Sequence, residues 1–198
     1  MARRPRHSAA ENKRTIIDAA SELFYAEGIR SVGVERIARS ADVAPPTLYR
    51  AFASKDDLIV AYIEQRDQAW RSWFREIVEA ARTPEESISA VFEAALAQVQ
   101  TPHYRGCPFQ MALAEFPATD HPAHLAAVAN KEWMRTQFAE LCANLGAPST
   151  TGMADQFCVL LDGLYVSAQS LGPAGYASTV TDIVPQLLEA AGRDGQPE

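Results

Sequence analysis

The sequence predicts an all-α protein, and two observations predict it. Long segments rich in Ala, Leu, Glu, Gln and Arg place apolar residues at three- and four-residue spacing, the period of a helix face. Glycine is sparse, at 10 of 198 residues, and no alternating strand pattern persists. With 47% hydrophobic residues the chain can bury a real core, and its length permits one or two domains.

Taken in order, the first seven residues, MARRPRH, are basic and unpatterned and read as a mobile arm. From about Ser8 the text becomes helical: Ile16, Ile17, Ala20, Leu23 and Phe24 share a face, and Gly28 is a natural stop. Gly33 precedes VERIARSA, where Val34, Ile37, Ala38 and Ala41 face one way. Asp42 breaks that segment and can take the left-handed turn conformation. A third helix runs from Pro45-Pro46 to about Phe52, with Leu48 and Phe52 inward at i, i+4. Ser54 then reads as an N-cap, with Asp56 and Asp57 in the first turn of a long helix to about Ala81. Thr83-Pro84 starts another helix, to about Gln100. TPHYRGCPFQ is a break and FQMALAEF a short helix, and Asp120 is the candidate cap of a helix through Trp133 and Phe138 to Leu145. GAPSTTG is a loop; two last helices follow, about 152–171 and 175–191, hinged at LGPAG.

Charge divides the chain. Residues 1–55 hold ten Lys/Arg against six Asp/Glu, a net of +4, while the remaining 143 net −11, within a total of −7. Such asymmetry suggests that a polyanion meets the N-terminal end only. A basic tail on an ordinary acidic protein is the alternative. Three scattered cysteines with no close-paired spacing suggest reduced thiols and a cytoplasmic protein. There is no apolar run of about 18 residues to span a membrane, and the basic N-terminus lacks the apolar core of a signal peptide.

The proline pair has a mechanical reading. A proline disfavours α conformation in the residue before it, so Pro46 is expected as the first helical residue and Pro45 as a cap without a side-chain oxygen. The N–H groups of Thr47 and Leu48 are then left for a phosphate. In the plainer alternative, Thr47 or water satisfies them and the prolines only stiffen a turn.

The stretch TIIDAASELFYAEGIRSVGVERIARSADVAPPTLYRAFASKDDLIVAYI, residues 15–63, resembles the DNA-binding domain of the tetracycline-repressor (TetR) family. The matching features are AASELFYAEG in the first helix, V-x-x-IA in the second, A-x-V at the turn, and TLYRAFASKDDL through the third into the fourth. The resemblance implies a helix-turn-helix domain over 9–69 and a larger helical effector-binding and dimerisation domain over 70–198. It implies a homodimeric regulator, usually a repressor, that meets a palindromic operator through its third helix. By position, Thr47, Tyr49 and Arg50 match the family's DNA-facing residues, and Lys55 its phosphate-contacting lysine. The family's usual Ser-Lys-Gly-Thr is Ala-Pro-Pro-Thr here, and its Tyr-His-His-Phe is Tyr-Arg-Ala-Phe, departures that bear on operator sequence. Pro46 and the Thr47 methyl suit thymine methyls; Arg50 suits guanine or phosphate. Arg3, Arg4 and Arg6 are candidates for backbone or minor-groove contacts.

In the larger domain, Trp70, Phe74, Phe109, Trp133 and Phe138 are the candidates for lining a cavity for a small apolar effector, although each alone suits ordinary core. Phe157, Leu161, Leu164, Ile183 and Leu187 are the expected dimer face, since in the family the last two long helices pair with their mates. His121 and His124, with Asp120, are placed for capping or solvation more than for a metal. Cys107 is a spectator thiol before it is a redox sensor. No nucleophile–base pair or phosphate loop appears, so neither an enzyme, a metal nor a cofactor is expected. The rivals are an activator or constitutive DNA binder without effector, and a helical enzyme or ligand carrier with a vestigial helix-turn-helix.

Overall fold

The structure is a computed structural model that describes residues 8–147, 149–172 and 174–194. Among these residues it contains nine α-helices and one 3-10 turn and no strand. The basic arm with Arg3, Arg4 and Arg6 lies outside the described residues. The first helix, α1 (Ala9–Glu27), starts with a reciprocal cap: Ser8 Oγ accepts from the Glu11 N–H (3.1 Å) and the Glu11 carboxylate accepts from the Ser8 N–H (2.6 Å). It stops at Gly28, whose φ of +93° is closed to most side chains. Then come α2 (Val34–Ser40), α3 (Pro45–Ala51) and α4 (Lys55–Ala80). Ser54 and Asp57 exchange the two capping bonds at the start of α4, as the Ser-x-x-Asp spacing predicts (2.9 and 3.0 Å).

Prolines open the next three helices, α5 (Pro84–Val99), α6 (Pro108–Glu115) and α7 (Pro122–Asn144). Their missing N–H removes no bond at a first helical position, and the residue before each is pushed out of the helix. This rule corrects the expected cap of α7. The cap is His121, directly before Pro122, and its Nδ1 accepts from the Ala123 N–H (3.2 Å); Asp120 lies one residue too early. The chain ends in α8 (Thr150–Leu171), the 3-10 turn Tyr176–Thr179 and α9 (Val180–Asp194).

Contacts divide these elements into two compact units. The first runs to Gln68 and takes in Pro108–Ala127; the second is Ala69–Cys107 with the residues from Val128 on. The placement of 108–127 differs from the division read off the sequence, because nothing local marks α6 as a partner of the first three helices. In the first unit α1 packs on both α2 and α3. Ile16, Ala20, Phe24, Ile37, Ala38, Leu48, Leu58, Ile59 and Tyr62 are buried there, and Phe24 meets Tyr62 edge-on at 5.4 Å between centroids.

In the second unit α5 packs on α8 and α9 around a cluster of rings. Phe138 lies 5.8 Å from Phe74, 6.1 Å from Phe92 and 5.6 Å from Phe157, and all four side chains are buried. Ion pairs Lys131–Asp162 and Arg135–Asp155 join α7 to α8. Among the described residues no helix is long and apolar enough to cross a membrane.

Because Phe138 is enclosed on three sides by other rings, Phe138→Ala should lower the unfolding free energy by about 3–5 kcal/mol. Urea denaturation followed by circular dichroism measures this; a loss under about 1 kcal/mol would contradict the packing described.

Candidate nucleic-acid interface

The short helix α3 stands where it does because α2 ends in a particular way. The Val43 N–H donates to the Ala38 carbonyl (2.9 Å) and the Asp42 N–H to the Arg39 carbonyl (3.2 Å), the two bonds of a Schellman stop. That stop needs a left-handed residue between them, and Asp42 supplies it with φ of 52°. Beyond the turn, Leu48 of α3 is buried in the core while Pro46, Tyr49 and Arg50 are exposed. Tyr49 keeps 51% of its surface exposed, a large value for a tyrosine beside a packed core.

The start of α3 departs from the sequence expectation. The helix begins at Pro45, not Pro46, and Ala44 is the cap with extended geometry (φ −71°, ψ 144°). Both prolines have helical φ already and sit at the first two positions, where an N–H would have no partner in the helix anyway. The Thr47 and Leu48 N–H groups both donate to the Ala44 carbonyl, at 2.8 and 3.4 Å. The prolines therefore delete two donors and the cap carbonyl takes the next two. The expected open set of amides for a phosphate is absent at Thr47 and Leu48.

Those side chains are partly ordered by one another. Arg50 donates from Nε to the Pro46 carbonyl (3.3 Å) and from Nη2 to Thr47 Oγ1 (3.0 Å), which lays the guanidinium back along the exposed face. A groove beside it is lined by Asn12 and Thr15 of α1, by Asp42 and Val43 of the turn, and by Thr47 and Arg50. Asn12 and Thr15 escaped the sequence reading; their i, i+3 polar spacing on the solvent side of α1 was the available signal. Lys55 is half-buried and donates from Nζ to the Arg30 carbonyl (3.2 Å). Burial pushes its ammonium below the usual lysine range; nearby Glu115 and Asp56 oppose that shift and Arg30 adds to it. Arg36 is engaged in an ion pair with Glu27, whereas Lys13, Arg14 and Arg39 are exposed.

The comparisons with known proteins bear on this arrangement. Residues 16–62 match the family described as "Bacterial regulatory proteins, tetR family". Over 91 residues the chain is 34% identical to the HTH-type transcriptional regulator TcmR of Streptomyces glaucescens, covering 46% of this chain and 40% of that protein's length. Over nearly its whole length it is similar to SCO4454, a TetR-family transcriptional regulator from Streptomyces coelicolor. The TM-score there is 0.87 and the identity 31%, with 92% of this chain and 97% of that chain covered. This chain belongs to the TetR family of transcriptional regulators. A second structure, of the regulator sav143 from Streptomyces avermitilis, superposes with a TM-score of 0.82 at 26% identity, covering 93% and 99% of the two chains. As a member of this family, the regulator acts by binding DNA, and its helix-turn-helix is α2 and α3.

The other sequence candidates are placed as follows. Phe74, Trp133 and Phe138 come together in the second unit, with Trp133 5.4 Å from Phe74; Trp70 lies beside Trp73 (4.5 Å) and Tyr165 (6.0 Å). Phe109 is buried but belongs to the first unit, so it does not share that cluster's compact unit. Phe157, Leu161 and Leu164, expected on the dimer face, are all buried within the chain itself. Ile183 and Leu187 remain half-exposed. His124 Nδ1 lies 2.8 Å from the Phe116 carbonyl, and Cys107 is buried. Burial pushes the thiols of Cys142 and Cys158 up to about 11, which keeps both protonated at neutral pH.

The proline arrangement has a measurable consequence. An alanine cap replaced by serine ordinarily gains about 1 kcal/mol. Ala44→Ser should gain less than about 0.5 kcal/mol, because the second position has no N–H to donate and the third is already bonded to the cap carbonyl. A full gain in urea denaturation would show that the first-turn donors are in fact available.

Proposed function

We propose that this regulator is a homodimeric repressor that binds a palindromic operator through α3 and is released by a small, largely apolar ligand. The observation that carries the reading is the outward face of α3: Pro46, Tyr49 and Arg50 stand exposed on a helix whose only fully buried side chain is Leu48. A helix so short contributes little core, and its exposed tyrosine and arginine are suited to phosphate and base edges. Tyr49 and Lys55 are assigned to phosphate. Arg50, held by Thr47, is assigned to a base or phosphate, and Pro46 with the Thr47 methyl to thymine methyls.

A palindromic site requires two copies, because two recognition helices must enter major grooves about 34–36 Å apart. The dimer face moves one stripe round α8 from the residues expected. Gln156, Val159, Gly163, Val166 and Ser170 recur at alternating three- and four-residue spacing and are exposed, Val159 at 71%. Ile183 and Leu187 of α9 extend the apolar surface available to a mate. A four-helix pairing of α8 and α9 with their copies uses this stripe, and Gly163 allows close approach at its centre.

For the effector, the second unit offers Trp70 as its most informative residue. The indole Nε1 is buried without a hydrogen-bond partner, beside Trp73 and Tyr165. A buried donor left unpaired costs about 1–3 kcal/mol, which a ligand carrying an acceptor oxygen relieves. The regulator thus works by binding rather than catalysis, with a cytoplasmic location to match a DNA partner.

Selecting bound fragments from a random DNA pool tests the central reading, with a two-fold symmetric consensus expected. Tyr49→Phe combined with Lys55→Ala should weaken binding to that fragment several-fold and flatten its salt dependence by about 0.9 per lost phosphate contact. No change in either quantity rules out the contact assignment. For the dimer, Val159→Asp with Val166→Asp should give a folded monomer by sedimentation; a dimer that persists places the interface elsewhere. If a ligand that saturates tryptophan fluorescence leaves operator affinity unchanged, the release step is wrong.

A further inference from the structure

Behind the reading face, the first unit carries a clasp that the family assignment does not explain. Glu115, the last residue of α6, accepts from the Ile29 N–H through Oε1 (2.9 Å) and from the Arg30 N–H through Oε2 (2.7 Å). These amides follow the C-terminus of α1 and precede α2, so no helix satisfies them. One carboxylate with two oxygens suits two converging donors, and bonds to a charged acceptor are stronger than neutral ones. Arg30 is the shared link: its N–H goes to Glu115, while its carbonyl accepts from Lys55 Nζ (3.2 Å).

A second route runs from the same segment to the same place. The Arg30 guanidinium lies over the Phe116 ring at 5.2 Å, and Phe116 stacks on His121 at 4.5 Å with 22° between planes. His121 Nε2 in turn stands 3.7 Å from Asp56 Oδ2, one residue past Lys55. Residues 115–121 therefore grip the α1–α2 junction at one end and the first turn of α4 at the other.

We propose that Glu115 is a positioning residue for DNA binding: through Arg30 it fixes where the Lys55 ammonium stands at the phosphate backbone. The inference rests on the reading that Lys55 meets phosphate. Lys55 has three N–H donors, and the Arg30 carbonyl engages one, leaving two for an oxygen of the backbone. Without Glu115 the junction amides turn to water, the Arg30 carbonyl loses its fixed place, and the lysine reverts to a flexible, solvated chain. Base preference is untouched, because no residue of α3 takes part in the clasp.

The test uses the full-length protein and an operator fragment obtained by selection, with the dissociation constant measured across a range of salt. Lys55→Ala should lower the slope of log K against log salt by about 0.9, the value for one phosphate contact. Glu115→Ala should weaken binding several-fold with the same fall in slope and an unchanged selected sequence. Combining the two should be no worse than Lys55→Ala alone. Should Glu115→Ala not fold, Glu115→Gln keeps one acceptor oxygen and carries the test, with a smaller drop in the same slope. Glu115 variants with the parent slope, or effects that add in the double variant, overturn the proposal while leaving the Lys55 assignment in place. A silent Lys55→Ala overturns both.

Discussion

Seven residues cannot hold a helix in water, where isolated helices shorter than about 12–15 residues are marginal. The position of α3, and with it the exposure of Pro46, Tyr49 and Arg50, depends on the burial of Leu48 and Phe52 against the helices beside it. Everything around α3 serves that burial. The Schellman stop at Asp42 aims the chain, the two prolines fix φ in the first turn, and the capping pair Ser54–Asp57 restarts the chain as α4 immediately afterwards. The exposed face is thereby free to carry residues chosen for a partner rather than for stability.

The same logic of occupied faces separates core from surface in the second unit. Phe92, Phe138 and Phe157 fill the space between α5, α7 and α8, and this ring cluster claims the inner stripe of α8. The stripe through Val159, Gly163 and Val166 stays exposed on the opposite side of α8. A helix with apolar residues on both sides is thus explained without assigning any one residue to both.

Electrostatics at the N-terminal end are more selective than the net count suggests. Arg36 is taken by Glu27, and Lys55 is tied to the Arg30 carbonyl and sits near Glu115 and Asp56. Lys13, Arg14, Arg39 and Arg50 are exposed, with Lys13 over the Phe52 ring and Arg50 laid back on Pro46 and Thr47. Sign and location of the positive end were legible in the sequence, because charge is a property of composition. Which cations are free was not, because pairing depends on residues far apart in the chain.

Local signals carried most of the secondary structure. The Gly28 stop, the left-handed Asp42 and the Ser54 cap are each decided within four residues, and each appears as expected. The steric rule at prolines was also local, yet it misled at Pro45-Pro46, where two prolines compete and the first one starts the helix. Three things were decided only in three dimensions. Phe157, Leu161 and Leu164 turned inward, Phe157 against Phe92 of α5 and Phe138 of α7. Phe109 and α6 joined the first unit. Glu115 found its donors about 85 residues away in the chain, a pairing that no spacing rule encodes. Sequence by itself determined the helices and most of their starts and stops, the starts of α3 and α7 excepted. Tertiary structure decided which apolar face is core and which carboxylate holds which amide, since both depend on what packs opposite.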